Sequence, residues 1–296
     1  MVVYLFTYLS IVVFCIAVIA RIIKISKTPL HLRWEIYPVA HEAGDKASYG
    51  GSYLEEQNWW EKPRKTSFIN MMKVQLPEMF FLTAVRENNK SLWYRSFPFH
   101  FGLYLIGTAV FLLLASFIPG IGGVAKTLAI VSGFTGLLLG LVGAIGLLIG
   151  RLTMEDYAGY TSGADFVNLY LFISAFTIAL ISHLFIDPGF TIVREFLKNL
   201  MTFNVGAPLR SNLVAFEIVV FSFMLAYIPL THMAHFFVKY FTYHDIRWND
   251  EPNIRGGKFE KDIQKVLAYR VTWSAPHIKG EGRKSWSDVA TEDIEK

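Results

Sequence analysis

Apolar residues gather in five long stretches of this chain, and the polar segments between them carry most of its charge. A helix needs about 20 mostly apolar residues to cross a hydrocarbon core of roughly 30 Å. Residues 2–23, 97–118, 124–150, 164–186 and 212–240 all meet that length. They predict an all-α integral membrane bundle. Its parts are a first transmembrane helix within 1–25, a long loop over 26–96, a four-helix membrane core over 97–240 and a tail over 241–296. The first stretch has no basic region before it and no small-residue cleavage pattern after it, so it reads as a span and not a signal peptide. Within 188–210, Ile192, Val193, Phe196, Leu197 and Leu200 recur at helical spacing opposite Arg194 and Lys198. That pattern predicts an amphipathic helix lying on the membrane surface. The third span carries Gly133, Gly136, Gly140, Gly143, Gly146 and Gly150 on one face, which allows close helix approach.

Hydrophobic residues make up 53% of the 296 and charged residues 18%, which excludes a disordered chain. Cys15 is the single cysteine. That excludes a disulfide framework, and an iron–sulfur cluster bound by this chain alone. Of the 28 Lys and Arg, 24 fall in 21–96, at Arg151 and in the tail from Lys239, leaving Lys126, Arg194, Lys198 and Arg210. The basic side is expected to be cytoplasmic. The N-terminus then faces out, and loop 26–96 and tail 241–296 face in. These segments mix both signs of charge, which argues against nucleic-acid binding. Their aromatic residues, Trp34, Tyr37, Tyr53, Trp59, Trp60 and Trp93, suit either a docking face for a cytoplasmic partner or the lipid headgroup level.

Ionisable groups inside a span are expensive and mark function by default. His100 lies five residues past Arg95, and His235 four residues before Lys239. At 1.5 Å per residue both come roughly 6–8 Å below one surface, on spans of opposite direction. Two imidazoles at one level suit a bis-histidine haem b, with the haem iron as the metal. Gly102, Gly107, Phe99 and Phe101 would flank a flat macrocycle. The competing account has each histidine hydrogen-bonding a neighbouring helix. His232, three residues from His235, is an alternative ligand, a haem-propionate contact or a hydrogen-bond partner. His183 lies near the other surface, as a helix cap beside Asp187, a ligand of a second haem or a proton partner of a quinone. With Glu217 and Lys126 at the same level it would form a quinone pocket, because quinol oxidation releases protons.

The motifs PFHFG (98–102, with His100), SGAD (162–165) and PLTHMAH (229–235) resemble those of the membrane cytochrome b (gamma) subunit of respiratory nitrate reductase. The resemblance covers roughly 97–245. It implies five spans, an outward N-terminus, and a haem b held by His100 and His235 near the cytoplasm. It sets Lys126 beside a family lysine associated with the quinone site. The family's ligands for a second, outer haem fall here on Val110 and Glu217, neither an ordinary haem ligand. The runs HLRWEIYPVAHE (31–42) and GGSYLEEQNWW (50–60) look like the membrane cytochromes of sulfate reducers' redox complexes, the Dsr-type and, more closely, the Tmc-type. Both are similar to the heterodisulfide reductase membrane subunit. That likeness implies a cytoplasmic iron–sulfur partner, a periplasmic multihaem cytochrome c, menaquinone and the inner membrane. His31 and His41 are expected to be structural or interface residues. The expected function is electron conduction in anaerobic respiration. Its rivals are a haem-free membrane anchor and a proton-coupled transporter; the latter usually shows repeats and broken helices.

Overall fold

A computed structural model describes residues 1–28, 38–275 and 278–292. His31, Trp34 and Tyr37 lie outside the described residues. The helices used below are α1 (Val2–Ser26), α2 (Phe68–Phe81), α3 (Lys90–Ala115), α4 (Gly122–Thr153), α5 (Gly163–Phe185), α6 (Thr191–Met201), α7 (Asn212–Tyr227), α8 (His235–Phe241), α9 (Lys258–Leu267) and α10 (Trp286–Thr291).

Five helical segments are long and apolar enough to cross a membrane: α1, α3, α4, α5 and Asn212–Leu230. The fifth is shorter than the expected 212–240. Regular helix stops at Tyr227, Pro229 sits in a short 3-10 turn, and Thr231 is extended before α8 begins. Proline has no N–H to donate and its ring crowds the preceding turn. A uniform 1.5 Å per residue therefore does not carry through to His235, and its expected depth does not follow. The break falls at the end of the apolar segment, unlike the mid-span breaks of transporters.

The chain forms two compact units, each described by itself: Met1–Ile16 with Gln75–Thr231, and Ala17–Val74 with His232–Lys296. In the first, α4 is the central helix, packed against α3 and α5. Its glycine face does this. A Cβ at Gly136 would come 2.8 Å from the Gly102 carbonyl oxygen and 2.9 Å from the Ile106 nitrogen. At Gly143 it would meet the backbone of Phe99, and at Gly140 it would come 2.9 Å from the Phe176 ring. Lipid tails are as apolar as leucine, so such backbone approach supplies the van der Waals contact that holds spans together. Gly102 is part of this seam and opens no slot for a macrocycle.

The amphipathic helix expected within 188–210 is α6, but its apolar face packs on protein. Phe196 is buried and joins Tyr4, Val214 and Ile218 in one cluster, with Ile192, Val193, Leu197 and Leu200 against it. Arg194 reaches the end of α3. Its Nε donates to Ser116 Oγ at 2.6 Å and its Nη2 to the Ser116 carbonyl at 3.1 Å. A cation at a helix C-terminus opposes the partial negative charge there.

In the second unit, Val39, Tyr243 and Trp248 form a small buried cluster. Asp250 ties it together: it accepts from His41 Nε2 at 2.8 Å, pairs with Arg64 Nη1 at 3.1 Å and is hydrogen-bonded by the Tyr53 hydroxyl. His41, expected to be a structural or interface residue, is held within this unit by Asp250. The chain continues as a π-helix over Thr242–Arg247, then α9, a short antiparallel pairing of Ser274–Ala275 with Ile278–Lys279, and α10.

Candidate ligand cavity and histidine sites

A cavity of about 380 Å³ lies in the first unit, walled by α1, α3, α4, α5, α6 and α7. Cavities that take small ligands are mostly apolar, with a few placed polar groups. Here those groups are His183, Glu217, Thr7 and Ser222.

The local sequence builds the histidine end stepwise. Helix α5 ends at Phe185, and Phe190 takes the left-handed conformation (φ 50°) just before α6. The buried Asp187 carboxylate caps α6, accepting from the Thr191 N–H at 2.7 Å and the Ile192 N–H at 2.8 Å. An anion belongs at a helix N-terminus, where backbone donors are unsatisfied. The turn sets the Phe190 ring flat on the His183 ring, 3.7 Å between centroids and 9° between planes.

His183 is 1% exposed and Glu217 6%, so both side chains are removed from water. His183 Nδ1 donates to the Asp187 carbonyl at 3.0 Å, and its Nε2 is 2.9 Å from Glu217 Oε1. A carbonyl only accepts, so Nδ1 carries a hydrogen. The Nε2–Oε1 contact then needs one further proton, held either by an imidazolium facing a carboxylate or by a carboxylic acid facing a neutral imidazole. The pair is a one-proton store. Glu217 Oε2 is buried without a hydrogen-bond partner among the described residues, and so is Ser182 Oγ. Both His183 nitrogens are engaged, which leaves neither for the iron of a second haem.

The expected trio of His183, Glu217 and Lys126 is brought together only in part. Lys126 Nζ lies 3.4 Å from Thr191 Oγ1, at the first residue of α6, and does not line the cavity. The sequence reading missed Thr7 and Ser222 as cavity residues. Their hydroxyls are 2.9 Å apart and buried. Thr7 and Ser10, both buried, sit three residues apart in an otherwise apolar span, whereas Leu5, Leu9, Val12 and Ile16 are exposed. That spacing marks the protein-facing side of α1 and was the available signal.

His100 and His235 belong to different units. His100 Nδ1 donates to the Ser96 carbonyl at 2.8 Å, and His235 Nδ1 to the His232 carbonyl at 3.4 Å. A carbonyl only accepts, so in both contacts Nδ1 carries the hydrogen. Phe99 packs edge-on against Phe172, and Phe101 stacks on Phe97. Among the described residues no three His, Cys, Asp or Glu side chains gather as a metal-ion site. Of the expected docking aromatics, Trp60 is exposed, Tyr53 is bonded to Asp250, and Trp93 Nε1 donates to the Phe81 carbonyl at 2.7 Å.

Fold and site together define a class, a helical multi-pass membrane protein with a buried polar pair in an apolar cavity. No protein-family model, no curated protein and no solved structure matches the chain.

Proposed function

We propose that this chain is the electron-conducting membrane subunit of a respiratory redox complex in the inner membrane. In this reading it is a b-type cytochrome that takes electrons from menaquinol, or from a periplasmic multihaem cytochrome c, and delivers them to a cytoplasmic iron–sulfur partner. One observation carries the reading: a buried histidine–carboxylate pair holding a single proton, with one carboxylate oxygen unsatisfied, at the wall of an apolar cavity inside a membrane bundle. A lipophilic carrier that exchanges protons needs such a site. The resemblance places a second haem's ligands at Val110 and Glu217, and both residues line the cavity. We read it as a quinol site standing where that family keeps a haem.

Oxidation of one quinol to quinone releases two electrons and two protons. The electrons leave one at a time to the acceptors of the complex; Glu217 Oε2 accepts a hydrogen bond from a quinol hydroxyl, takes one proton, passes it on to water and then takes the second. His183, bridged to Oε1, shares that charge, and the Asp187 carbonyl holds the imidazole in the required tautomer. Phe190, stacked on the ring, restricts its rotation. His100 and His235 would hold haem b, which when bound supplies a one-electron carrier. The resemblance of PFHFG and PLTHMAH to the family's histidine motifs supports that assignment.

A reduced-minus-oxidised optical spectrum of the purified chain tests it. A b-type signal is expected, at about one haem per chain, lost in both His100→Ala and His235→Ala and kept in His232→Ala. Loss in His232→Ala alone would move the ligand by one turn. A colourless preparation would overturn the conduit and leave a membrane anchor.

A further inference from the structure

Helix α2 is inside out for water. Its two buried residues are Gln75 and Glu78, while Leu76, Met79, Phe80 and Phe81 are exposed. A helix on a water-facing loop does the opposite. The buried carboxylate has a structural role, because Glu78 Oε2 accepts from Thr83 Oγ1 and the Ala84 N–H, both at 2.8 Å. It thereby caps the short helix that follows the reversal at Leu82, whose φ is 52°. A hydrogen-bonded carboxylate turned inward and apolar groups turned outward suit a hydrocarbon solvent.

A second observation sets the level. The Tyr104 hydroxyl donates to the Met79 carbonyl at 2.8 Å, and the Phe80 ring packs on Tyr104 at 5.6 Å. Tyr104 is nine residues past Arg95, the last charge of α3, or roughly 13 Å along the helix. A tyrosine side chain tilts back toward the helix N-terminus by a few ångströms, which still leaves Met79 well past Arg95. Nearer the start of α3, Trp93 binds the Phe81 carbonyl and lies beneath the Arg86 guanidinium, 5.5 Å from its ring centre. A tryptophan beside a cation is the usual furnishing of the headgroup level.

We infer that Gln75–Phe81 is embedded in the bilayer against the second span, with Leu76, Met79, Phe80 and Phe81 in the acyl chains. The occupant of this face is lipid. These contacts suffice for the placement, which does not depend on electron transfer. The membrane thus holds a segment that the charge and hydropathy pattern had assigned to a loop.

The test is collision accessibility of a spin label in phosphatidylcholine–phosphatidylglycerol vesicles. The full chain with Cys15→Ser carries one label at a time, from Leu76→Cys or Phe80→Cys. Val131→Cys, an exposed position on a span, and Tyr49→Cys, an exposed position outside the spans, are the references. Both test labels are expected to match the Val131 reference: relaxed by oxygen and at least fivefold less by a water-soluble nickel chelate. Two independent sites guard against one variant misfolding. Nickel relaxation at both positions equal to the Tyr49 reference would overturn the proposal. So would labels open to nickel in the lone chain but shielded from both reagents when a protein partner is added, which would make the face a protein dock.

Discussion

The His183–Glu217 pair allows a role in proton exchange to be separated from a role in holding the fold. Replacing Glu217 with leucine leaves His183 Nε2 buried without a partner, and replacing His183 with phenylalanine strands the Glu217 carboxyl. Leaving a buried neutral group unsatisfied costs about 1–3 kcal/mol, and leaving a buried charge about 3–5 kcal/mol. Each single variant should lose stability in that range. The double variant, His183→Phe with Glu217→Leu, removes both polar groups and should recover most of the loss, since replacing a whole buried pair by apolar groups is often neutral. Glu217→Gln can turn its amide N–H toward the neutral Nε2 and donate to it, and should cost least in stability. Proton transfer is another matter, because an amide cannot take a quinol proton. Electron delivery from a menaquinol analogue to a soluble acceptor should fall about 10²–10⁴-fold in Glu217→Gln and in the double variant alike. Stability is read by reversible denaturation in mixed micelles, and activity by dye reduction. A double variant that remains as unstable as the two singles combined refutes the isolated-pair geometry. Full quinol oxidation by Glu217→Gln refutes the proton role.

The glycine seam should tolerate no side chain. Gly143→Ala, which drives a methyl into the Phe99 backbone, should destabilise the bundle by about 1–3 kcal/mol, while Gly107→Ala, with nothing within 4 Å, serves as the silent control in the same thermal assay. Arg194→Ala strips the end of α3 of its charged partner and should lower stability by about 1 kcal/mol, with faster amide exchange through 112–118. In the tail, hydrogen bonds from Ser285 hold the Asp288 carboxyl below the usual carboxylate range. A lowered value means stability present above the unfolded-state value near pH 4 and lost as pH falls through the lower, folded one. Hydrogen exchange at 286–291 should therefore stay slow from neutral pH down to about 4 and quicken below it, once corrected for intrinsic rates; Asp288→Asn should abolish that inflection.

The spans were legible because bilayer crossing imposes a length and an apolar run, and both are local properties of the chain. The glycine face was legible for a similar reason, since residues three and four apart share a helix side wherever the helix ends up. His183 and Glu217 could be matched in depth from charge landmarks, but their hydrogen bond could not, because facing direction depends on how α5 and α7 rotate against their neighbours. Helix α2 was read as loop because it is short and includes Gln75, Glu78 and Pro77. Hydropathy averages over a window, and only the fold reveals that the polar members turn inward. Pro229 was a visible helix breaker overlooked inside a long apolar run. Lys126 illustrates the opposite error: similar depth suggested company with His183, yet its side chain ends at Thr191 Oγ1.

The seam between α3 and α4 also bears on how the protein is made. Only residues 116–121 join the two helices, and backbone meets backbone at Gly102, Gly136 and Gly143. Closing so short a connection costs little chain entropy. These helices can pair before α5 joins them, and the finished hairpin then offers Gly140 to Phe176 as a ready groove. Arg194 arrives later in translation and latches the end of α3, whereas α1, made first, must wait for α6 and α7 before Tyr4 and Thr7 find their partners.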